Sequence, residues 1–398
     1  MSAPNHVVVV GASAAGLTAA EALRREGFTG GLTLIGDETH PPYDRPPLSK
    51  QVLTGARQPS EVALRDEDAI ARLQADLRLG CRATGLDTAA RVIALADGDR
   101  VRYDGMIIAT GLRPRRLPFG HELAGVHVLR TLDDALAVRA ELATGPRVVV
   151  LGAGFLGSET AASARELGLD VTLVDAEPAP MIRQFGPEVA GLLAAAHRDH
   201  GVRMRMGRKV SGIEGGNGRV AAVVLDDGTR LAADLVVVAI GSVPAVDWLA
   251  GSGVPIGDGV LCDEYCRAGP GVYAAGDVAN WPHPGLGARV RLEQRTNAGE
   301  QAMAAARNLL AEPGQETPYA PTPFGWTDHY GDKIQLHGWC PPGARTEIVA
   351  GHPRERKFVA LYRRGDRVVG ALGWNSVRAL RAYRGHVTAP GHADASGR

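Results

Sequence analysis

The hydrophobic positions of this chain fall into short apolar runs followed by alanine-rich segments with helical spacing, and one such unit occurs twice. The first copy is HVVVVGASAAGLTAAEALRREG at residues 6–27, and the second is PRVVVLGAGFLGSETAASARELG from residue 146. A bounded apolar run is typical of a strand buried on both faces, and the segment after it predicts a helix. Two copies of this strand-turn-helix unit predict two dinucleotide-binding domains.

Each copy leads into a second strand that ends in acidic residues. GLTLIGDE ends at Asp37 and Glu38, and LDVTLVDAE reaches Asp175 and Glu177. The first acid of each pair follows the last glycine of its turn by 21 and 18 residues, respectively. In a βαβ unit that binds a dinucleotide, the acid that contacts the ribose follows the glycine-rich turn by about 20 residues.

The second copy contains a complete G-x-G-x-x-G motif at Gly152, Gly154 and Gly157. These glycines permit a tight turn, a close approach of the backbone to a pyrophosphate, and close packing of the helix on the strand. The helix N-terminus then directs free N–H groups at the phosphates. This context predicts a nicotinamide nucleotide site, against the alternative of a turn that needs small residues only for packing.

The acids after the second copy favour NADH over NADPH. A carboxylate at Asp175 or Glu177 accepts a hydrogen bond from a ribose 2′-hydroxyl and repels a 2′-phosphate. Arg183 is the exception, because it lies close enough in sequence to fold back towards a phosphate.

The first copy has Ser13 at the position of the second glycine, which is a small residue whose hydroxyl can donate to a phosphate. Downstream, the proline-rich segment HPPYDRPPLSK ends at Lys50. A stiff loop that delivers one ammonium group suits a reduced flavin, whose N1–C2=O edge and N5 gain electron density. The first copy is therefore interpreted as a flavin site; the alternative for Lys50 is an ordinary solvated helix lysine.

The order of the closing strands predicts that the second domain is inserted into the first. RVRYDGMIIATGLRP closes the first unit, RLAADLVVVAIGSVP closes the second, and GVYAAGDVANWP adds a later strand, followed by a helix over residues 296–310. We expect an FAD domain of residues 1–112 and 243–316 that encloses an NAD domain of residues 113–242. A proline-rich linker then leads to an α+β domain of residues 317–398.

Composition narrows the class of protein. The chain has 398 residues, with 44 Lys and Arg balanced by 44 Asp and Glu, so no nucleic-acid partner is indicated. Its four cysteines form no C-x-x-C pair, and no apolar run approaches the roughly 18 residues of a membrane span. We expect a reduced, cytoplasmic protein with no membrane segment and no metal site.

Six motifs in order resemble the FAD- and NADH-dependent ferredoxin reductases that supply bacterial cytochromes P450 and ring-hydroxylating dioxygenases. They are YDRPPLSK, IIATG, LRTLDDA, LGAGFLGSE, VYAAGDVA and LEQRTNAGEQA. The resemblance covers residues 6 to about 384. It implies hydride transfer from NADH to FAD and then single-electron transfer to an acidic [2Fe-2S] ferredoxin, by a monomer or weak dimer.

The resemblance also implies roles for individual residues. Lys50, Glu159 at the nicotinamide end and Trp326 beside the isoalloxazine are the implied catalytic residues. The implied FAD contacts are Gly11, Ser13, Ala14, Ala15, Gly16, Asp37, Glu38, Arg45, Ala83, Ala109, Thr110, Gly111, Arg130, Gly276, Asp277, Glu293, Gln294, Arg295 and Thr296. The expected NADH contacts are Gly152, Gly154, Phe155, Leu156, Gly157, Asp175, Glu177, Arg183, Ile240 and Gly241.

The cysteines, together with two departures from the family's sequence pattern, bear on how electrons leave the flavin. Disulfide reductases of this architecture carry a cysteine pair beside the flavin, and peroxide-reducing relatives carry one cysteine in the loop that here reads HPPYDRPPLSK, which has none. Cys262 and Cys266 are expected to pack at a strand edge. Ser13 and the Phe324-Gly325 pair before Trp326 depart from the family. Electrons are thus expected to leave the flavin directly for an external carrier.

Two alternatives remain open from the residues. One is an NADH oxidase or diaphorase that reduces oxygen or quinones, and the other is a non-catalytic NADH-sensing flavoprotein. The C-terminal charge bears on this choice, since residues 319–398 carry 12 Lys and Arg against 6 Asp and Glu. An arginine surface there would steer an acidic carrier; the alternative is an ordinary solvated surface. Its candidates are Arg363, Arg364, Arg367, Arg378, Arg381 and Arg384, with Arg289 and Arg291.

Overall fold

The first repeat forms the centre of a six-stranded sheet in the computed structural model, which describes residues 4–387. In spatial order the strands are Arg267–Gly269, Val272–Ala274, Gly105–Ile108, His6–Val10, Gly31–Ile35 and Asp76–Arg78. All neighbours are parallel except the first pair. Residues 1–3 and 388–398 of the predicted domains lie outside the described residues.

Two long helices, Ala14–Arg25 and Arg295–Leu310, pack against each other in this domain. Both helices are rich in buried alanines, among them Ala19, Ala22 and Ala302, which are fully buried. Small side chains permit a close approach of two helix backbones, so the alanine-rich composition is explained by packing. The Arg295–Leu310 helix begins within one residue of the predicted position.

Smaller elements complete this part of the chain. The short helices are Gln51–Thr54 and Glu67–Ala71, with single 3₁₀ turns at Pro46–Ser49, Pro59–Val62, Asp247–Leu249 and Gly276–Val278. Ala83–Asp87, Val92–Leu95 and Arg100–Arg102 form an antiparallel three-stranded sheet. Ile256–Gly257, Gly259–Leu261, Ala279–His283 and Ala288–Val290 form a four-stranded sheet.

The second repeat forms a five-stranded, entirely parallel sheet. Its order is Arg203–Met206, Asp170–Asp175, Arg147–Leu151, Leu235–Val238 and Val126–Val128. The helices are Leu132–Leu142, Phe155–Glu166 and Ile182–Asp199, the last interrupted at Gly186, where φ is +72°. Val210–Gly216, Arg219–Leu225 and Arg230–Ala232 add an antiparallel sheet.

The chain crosses between the two units twice, and the two crossings pair with each other. Leu112–Pro114 and Ser242–Pro244 form a two-stranded antiparallel ribbon, in which Leu112 lies opposite Pro244. The predicted limits at residues 112/113 and 242/243 fall in this ribbon. We therefore propose the ribbon as the boundary between the enclosing and the inserted domain.

The third unit is a five-stranded antiparallel sheet with a short helix. The strand order is Phe324–His329, Asp332–Gly338, Arg367–Trp374, Lys357–Arg364 and Arg345–His352, and the helix is Val377–Arg381. 3₁₀ turns lie at Pro353–Glu355 and Arg384–His386. Phe358, Tyr362 and Trp374 of this sheet share one core with Phe185 and Val189 of the inserted unit.

The predicted fold class, two dinucleotide-binding units with one inserted in the other and a following α+β unit, is confirmed by this topology. Across residues 4–387, none of the helices has both the length and the hydropathy needed to cross a bilayer.

Candidate active site

The two fingerprint turns have the same backbone geometry. Gly11 has a φ of +116° and Gly152 a φ of +99°, values that favour glycine. A Cβ atom on Gly11 would lie 2.1 Å from the carbonyl oxygen of Ala109, and one on Gly152 would lie 2.2 Å from that of Ala239. Both positions therefore require glycine for the turn itself, as the sequence predicts.

The last fingerprint glycines serve packing. A Cβ atom on Gly16 would lie 1.7 Å from the carbonyl oxygen of Gly11, and one on Gly157 would lie 1.8 Å from that of Gly152. Each helix thus approaches its turn too closely for any side chain.

The middle fingerprint position is open to the cavity. A Cβ atom on Gly154 would meet nothing within 4 Å, so its backbone is accessible where a pyrophosphate approaches. Ser13 occupies the matching position with a φ of −107°, and within residues 4–387 its side chain makes no capping hydrogen bond to its helix. The Ser13 hydroxyl is therefore available to a phosphate, which fits a dinucleotide at the first turn.

One cavity of about 1420 Å³ joins the two turns. It is larger than the roughly 300–1,000 Å³ of a typical single-ligand pocket, which fits two dinucleotides that meet end to end. Four predicted contacts lie off its wall: Gly16, Gly157, Gly276 and Thr296. All other predicted site residues line it: Gly11, Ser13, Ala14, Ala15, Asp37, Glu38, Arg45, Lys50, Ala83, Ala109, Thr110, Gly111, Arg130, Gly152, Gly154, Phe155, Leu156, Glu159, Asp175, Glu177, Arg183, Ile240, Gly241, Asp277, Glu293, Gln294, Arg295 and Trp326.

Lys50 and Glu159 form a buried ion pair at the wall of this cavity. Lys50 Nζ lies 2.9 Å from Glu159 Oε1, and the two side chains are 11% and 8% exposed. Two hydroxyl groups also donate hydrogen bonds to the Glu159 carboxylate. Ser49 Oγ donates to Oε2 at 2.5 Å, and Thr327 Oγ1 donates to Oε1 at 2.7 Å. Lys50 is thus a buried, paired cation and not a solvated helix lysine.

The Glu159 network reaches the buried His329, whose ring packs against that of a second buried histidine, His197, at a centroid distance of 5.5 Å. Because the Thr327 hydroxyl donates to Glu159, it must accept from His329 Nε2, which lies 2.9 Å away. His197 Nδ1 lies 2.7 Å from the Tyr330 hydroxyl. Burial lowers the pKa of His197 to about 4, and burial, His197 and Lys50 hold the pKa of His329 well below its usual range. Both imidazoles are therefore neutral at pH 7.

A second group of charged and polar side chains lines the cavity around Arg45 and Arg130. Arg45 donates to Glu38 Oε1 at 2.5 Å and to the carbonyl oxygen of Arg130 at 2.7 Å, while the Tyr43 hydroxyl donates to Glu38. Burial raises the pKa of Asp277, although the Arg130 guanidinium 3.5 Å away opposes this shift. Arg45 and Arg130 place two cations on the cavity wall.

The start of the Arg295–Leu310 helix faces the cavity through residues 292–295. Gln294 Oε1 accepts from the backbone N–H of Phe324 at 3.0 Å, and Arg295 pairs with Asp44 at 2.5 Å. Thr296 instead donates to the Phe324 carbonyl oxygen at 2.8 Å. The free N–H groups and dipole of this helix end favour negative charge in the cavity.

Trp326 lines the cavity and begins a stack of rings that leads away from it. The Phe324 ring centroid lies 6.0 Å from that of Trp326 and 4.5 Å from that of His337. Burial and the nearby Arg384 lower the pKa of His337. The stack therefore leads from the cavity towards Arg384, in the 3₁₀ turn that follows the C-terminal helix.

The predicted arginine surface is present only in part. Arg364, Arg367, Arg378, Arg381 and Arg384 are exposed.

Three other predicted members have structural partners. Arg363 pairs with Glu347 at 2.5 Å. Arg291 is 13% exposed and pairs with Glu293 at 2.5 Å, and Arg289 donates to carbonyl oxygens of Cys262 and Asn280. Their guanidinium groups are engaged within the protein, so they are poor candidates for a surface that binds a carrier.

All four cysteines are unpaired. Cys262 and Cys266 are buried, and burial raises the pKa of the Cys262 thiol to about 12 and raises that of Cys266 as well. A thiol with a raised pKa is a poor nucleophile, so the predicted packing role of this pair agrees with the structure.

Sequence reasoning did not select Ser49 and Thr327, although both contact Glu159. Each is a neighbour of a selected residue, Lys50 and Trp326 respectively. Neither hydroxyl has a sequence signature, because the contacts join residues 110 and 168 positions apart.

Comparison with known proteins supports these observations. A model of the pyridine nucleotide-disulphide oxidoreductase family matches residues 5–302, and a reductase C-terminal model matches residues 324–396. Rhodocoxin reductase of Rhodococcus erythropolis is 39% identical over 380 residues, which cover 95% of this chain and 88% of the relative. The ferredoxin–NAD(+) reductase component of the biphenyl dioxygenase system of Paraburkholderia xenovorans is 38% identical, covering 95% and 91%.

Solved structures are similar over nearly the whole chain. The ferredoxin reductase for the CYP199A2 system of Rhodopseudomonas palustris has a TM-score of 0.92 at 34% identity and covers 98% of both chains. The reductase in the covalent putidaredoxin reductase–putidaredoxin complex has a TM-score of 0.91 at 32% identity, covering 96% and 93%. The chain therefore belongs to the pyridine nucleotide-disulphide oxidoreductase family, among its FAD- and NADH-dependent ferredoxin reductases.

Proposed function

We propose that this protein transfers electrons from NADH to a [2Fe-2S] ferredoxin that serves a cytochrome P450 or another oxygenase. The observation that carries the proposal is the single cavity that joins both fingerprint turns and passes Lys50, Glu159 and Trp326. A flavin bound there takes up two electrons as a hydride and gives them up one at a time.

The residues of the first half would hold FAD. The turn at Gly11 and Ser13 offers backbone N–H groups and a free hydroxyl to a pyrophosphate, and Asp37 is positioned at the strand end for a ribose. Lys50 and the N-terminal end of the Arg295–Leu310 helix favour negative charge at the flavin end of the FAD. The corresponding turn at Gly152 and Gly154 would hold NADH.

No residue on the cavity wall has to act as a general acid or base for hydride transfer. The contribution of the protein is to align two dinucleotides and to exclude water, which replaces a bimolecular encounter by a fixed geometry. The buried Lys50–Glu159 pair then stabilises charge that develops beside it, because its two charges are already oriented.

The acidic carrier is proposed to dock at the exposed Arg378, Arg381 and Arg384. This position is favoured because Arg384 lies beside His337, the outer ring of the stack that ends at Trp326. A positive surface near the electron exit would raise the encounter rate in a salt-dependent way.

Charge reversal tests this docking face. The triple variant R378E/R381E/R384E should raise the KM for ferredoxin by about tenfold and weaken its salt dependence, with ferricyanide reduction unchanged. A matched control reverses the exposed Arg25, Arg100 and Arg102, which do not line the cavity. Equal KM values for both triple variants would refute the docking face.

Oxygen consumption separates this function from an NADH oxidase. With a small [2Fe-2S] ferredoxin at micromolar concentration, NADH oxidation should follow ferredoxin reduction and greatly exceed oxygen uptake. NADH oxidation that depends on oxygen and is unaffected by ferredoxin would instead establish an oxidase or diaphorase.

We further propose a cytoplasmic monomer or weak dimer. The four unpaired cysteines support a reducing compartment.

Across residues 4–387 the exposed large apolar side chains are few: Phe155, Leu167, Ile240, Ile256 and Ile348. Phe155 and Ile240 line the cavity, so little apolar surface is left for a permanent interface. Mass photometry at nanomolar concentration should give a mass near 41.8 kDa.

A further inference from the structure

The carboxylate of Glu159 is the point at which all three units of the chain meet. Glu159 belongs to a helix of the inserted unit, whereas Ser49 and Lys50 come from the proline-rich segment of the first unit. Thr327 comes from the first strand of the third unit. Ser49, Glu159 and Thr327 are all buried, so the protein itself must satisfy the hydrogen-bonding capacity of this carboxylate.

The Glu159 carboxylate shares its charge among three donors. An ionised carboxylate has about four lone-pair sites and no proton to donate. Lys50 and Thr327 both donate to Oε1, at 2.9 and 2.7 Å, and Ser49 donates to Oε2 at 2.5 Å. The two hydroxyl groups therefore compensate part of a charge that Lys50 would otherwise meet alone.

Lys50 keeps hydrogen-bond donors for the cavity that it lines. Its ammonium group carries three N–H donors, and within residues 4–387 it pairs with a single acid, Glu159. An anionic group that enters the cavity competes with Glu159 for this ammonium group. The strength of the Lys50–Glu159 pair therefore decides how much positive charge is available to that group.

His329 fixes the direction of the Thr327 hydroxyl. The two residues are two positions apart on one strand, so their side chains lie on the same face of the sheet. The hydroxyl has one hydrogen, which must point at Glu159 because a carboxylate can only accept. His329 Nε2, 2.9 Å from Thr327 Oγ1, then donates to the hydroxyl from the other side. Each hydrogen bond of this chain polarises the next one.

We propose that Thr327 and His329 are positioning residues that act on the cavity through Glu159. Thr327 compensates part of the Glu159 charge, which weakens the hold of the carboxylate on Lys50 and leaves the ammonium group available to negative charge on a reduced flavin. His329 orients the Thr327 hydroxyl for this role. The third unit thereby sets how strongly the site favours reduced over oxidised flavin. This inference rests on the proposed function, because it takes the Lys50 end of the cavity as the flavin end.

Loss of the Thr327 hydroxyl should disfavour the reduced flavin. In T327V, Glu159 loses a charge-assisted hydrogen bond, which is about twice as strong as a neutral one, and holds Lys50 more tightly. We expect the affinity for reduced relative to oxidised flavin to fall about tenfold, which lowers the two-electron potential by about 30 mV. H329L keeps the hydroxyl but removes the bond that polarises it, so a fall of about threefold, or about 15 mV, is expected.

The potential of the FAD-loaded protein, measured against a reference dye during anaerobic reduction with dithionite, tests this. T327S keeps the hydroxyl and H329Q keeps an N–H donor, so both should restore the potential of the unsubstituted protein. T327V/H329L should shift no further than T327V, since both changes act through one hydroxyl. The matched control T33V removes a buried hydroxyl 2.9 Å from His6 Nε2. Neither Thr33 nor His6 lines the cavity, so the potential should not change.

Nitrogen NMR of protein that carries isotope-labelled histidine adds a readout independent of electron transfer. The His329 signals, identified by their loss in H329Q, should show a neutral ring with its proton on Nε2. This tautomer is the one that donates to Thr327.

A neutral His329 ring with its proton on Nδ1, or equal potentials for T327V and T327S, would overturn the proposal. So would a shift in T327V/H329L that equals the sum of the two single shifts. The comparison of T327V with T327S decides the question even if H329L does not fold. A protein that shows the expected shifts but does not reduce a ferredoxin would refute the proposed function and leave the positioning role in place.

Discussion

Removal of the Lys50 charge should destabilise the protein strongly, because it leaves Glu159 as a buried anion. Lys50→Met keeps most of the side-chain volume but removes the ammonium group 2.9 Å from Glu159 Oε1. Breaking a buried ion pair by removing one partner costs about 3–5 kcal/mol. Ser49 and Thr327 still donate to the carboxylate, so we expect the lower end of this range.

A double-mutant cycle isolates the effect of the pair. K50M/E159Q removes both charges and should recover at least about 2 kcal/mol relative to K50M. The measurement is urea unfolding of the FAD-loaded protein, followed by circular dichroism and flavin fluorescence. The K50M variant should also be reduced more slowly by NADH in stopped flow. A loss below about 1 kcal/mol for K50M, with flavin reduction and FAD content unchanged, would refute the reasoning.

Three further changes test other parts of the site. Since the pKa of His197 is lowered to about 4, the unfolded chain binds this proton more readily than the folded one, and about 2 kcal/mol of stability should be lost between pH 7.5 and pH 5. In H197N, urea unfolding should show that the free energy of unfolding lost between pH 7.5 and pH 5 is smaller by that amount. A pH dependence equal to that of the unsubstituted protein would contradict the lowered pKa of His197. Gly11→Ala should yield protein without FAD, because its Cβ would meet the Ala109 carbonyl oxygen. FAD binding by G11A would contradict this turn geometry. Gly154→Ala, where a Cβ atom would meet nothing within 4 Å, should retain FAD and thermal stability but raise the KM for NADH about tenfold.

The sequence was sufficient for features that depend on local spacing. Gly11 and Gly152 were identified from their turns, and the repeated unit predicted the parallel strands at the centre of both sheets. The insertion followed from the order of the closing strands, and the structure shows the two crossings paired at Leu112–Pro114 and Ser242–Pro244. Each strand-turn-helix unit is encoded within about 30 residues of chain, so periodicity and glycine positions reveal it, and the order of these units along the chain indicates the insertion.

The contacts around Glu159 were beyond sequence reasoning for a physical reason. Glu159 was selected as a residue near the nicotinamide, but its hydroxyl partners come from two other units of the fold. The low pKa of His197 arises mainly from burial, which depends on tertiary packing. Similarly, the ion pairs that engage Arg291 and Arg363 separate them from the exposed arginines only once the sheets are assembled.

The central claim is that NADH delivers two electrons to this protein and that they leave singly for a ferredoxin. An anaerobic titration measures this most directly. One equivalent of NADH should bleach the flavin absorbance of the purified protein, much more readily than NADPH does. Two equivalents of oxidised [2Fe-2S] ferredoxin should then restore it. A flavin band that NADH leaves unchanged, or that ferredoxin does not restore while oxygen does, would contradict the account.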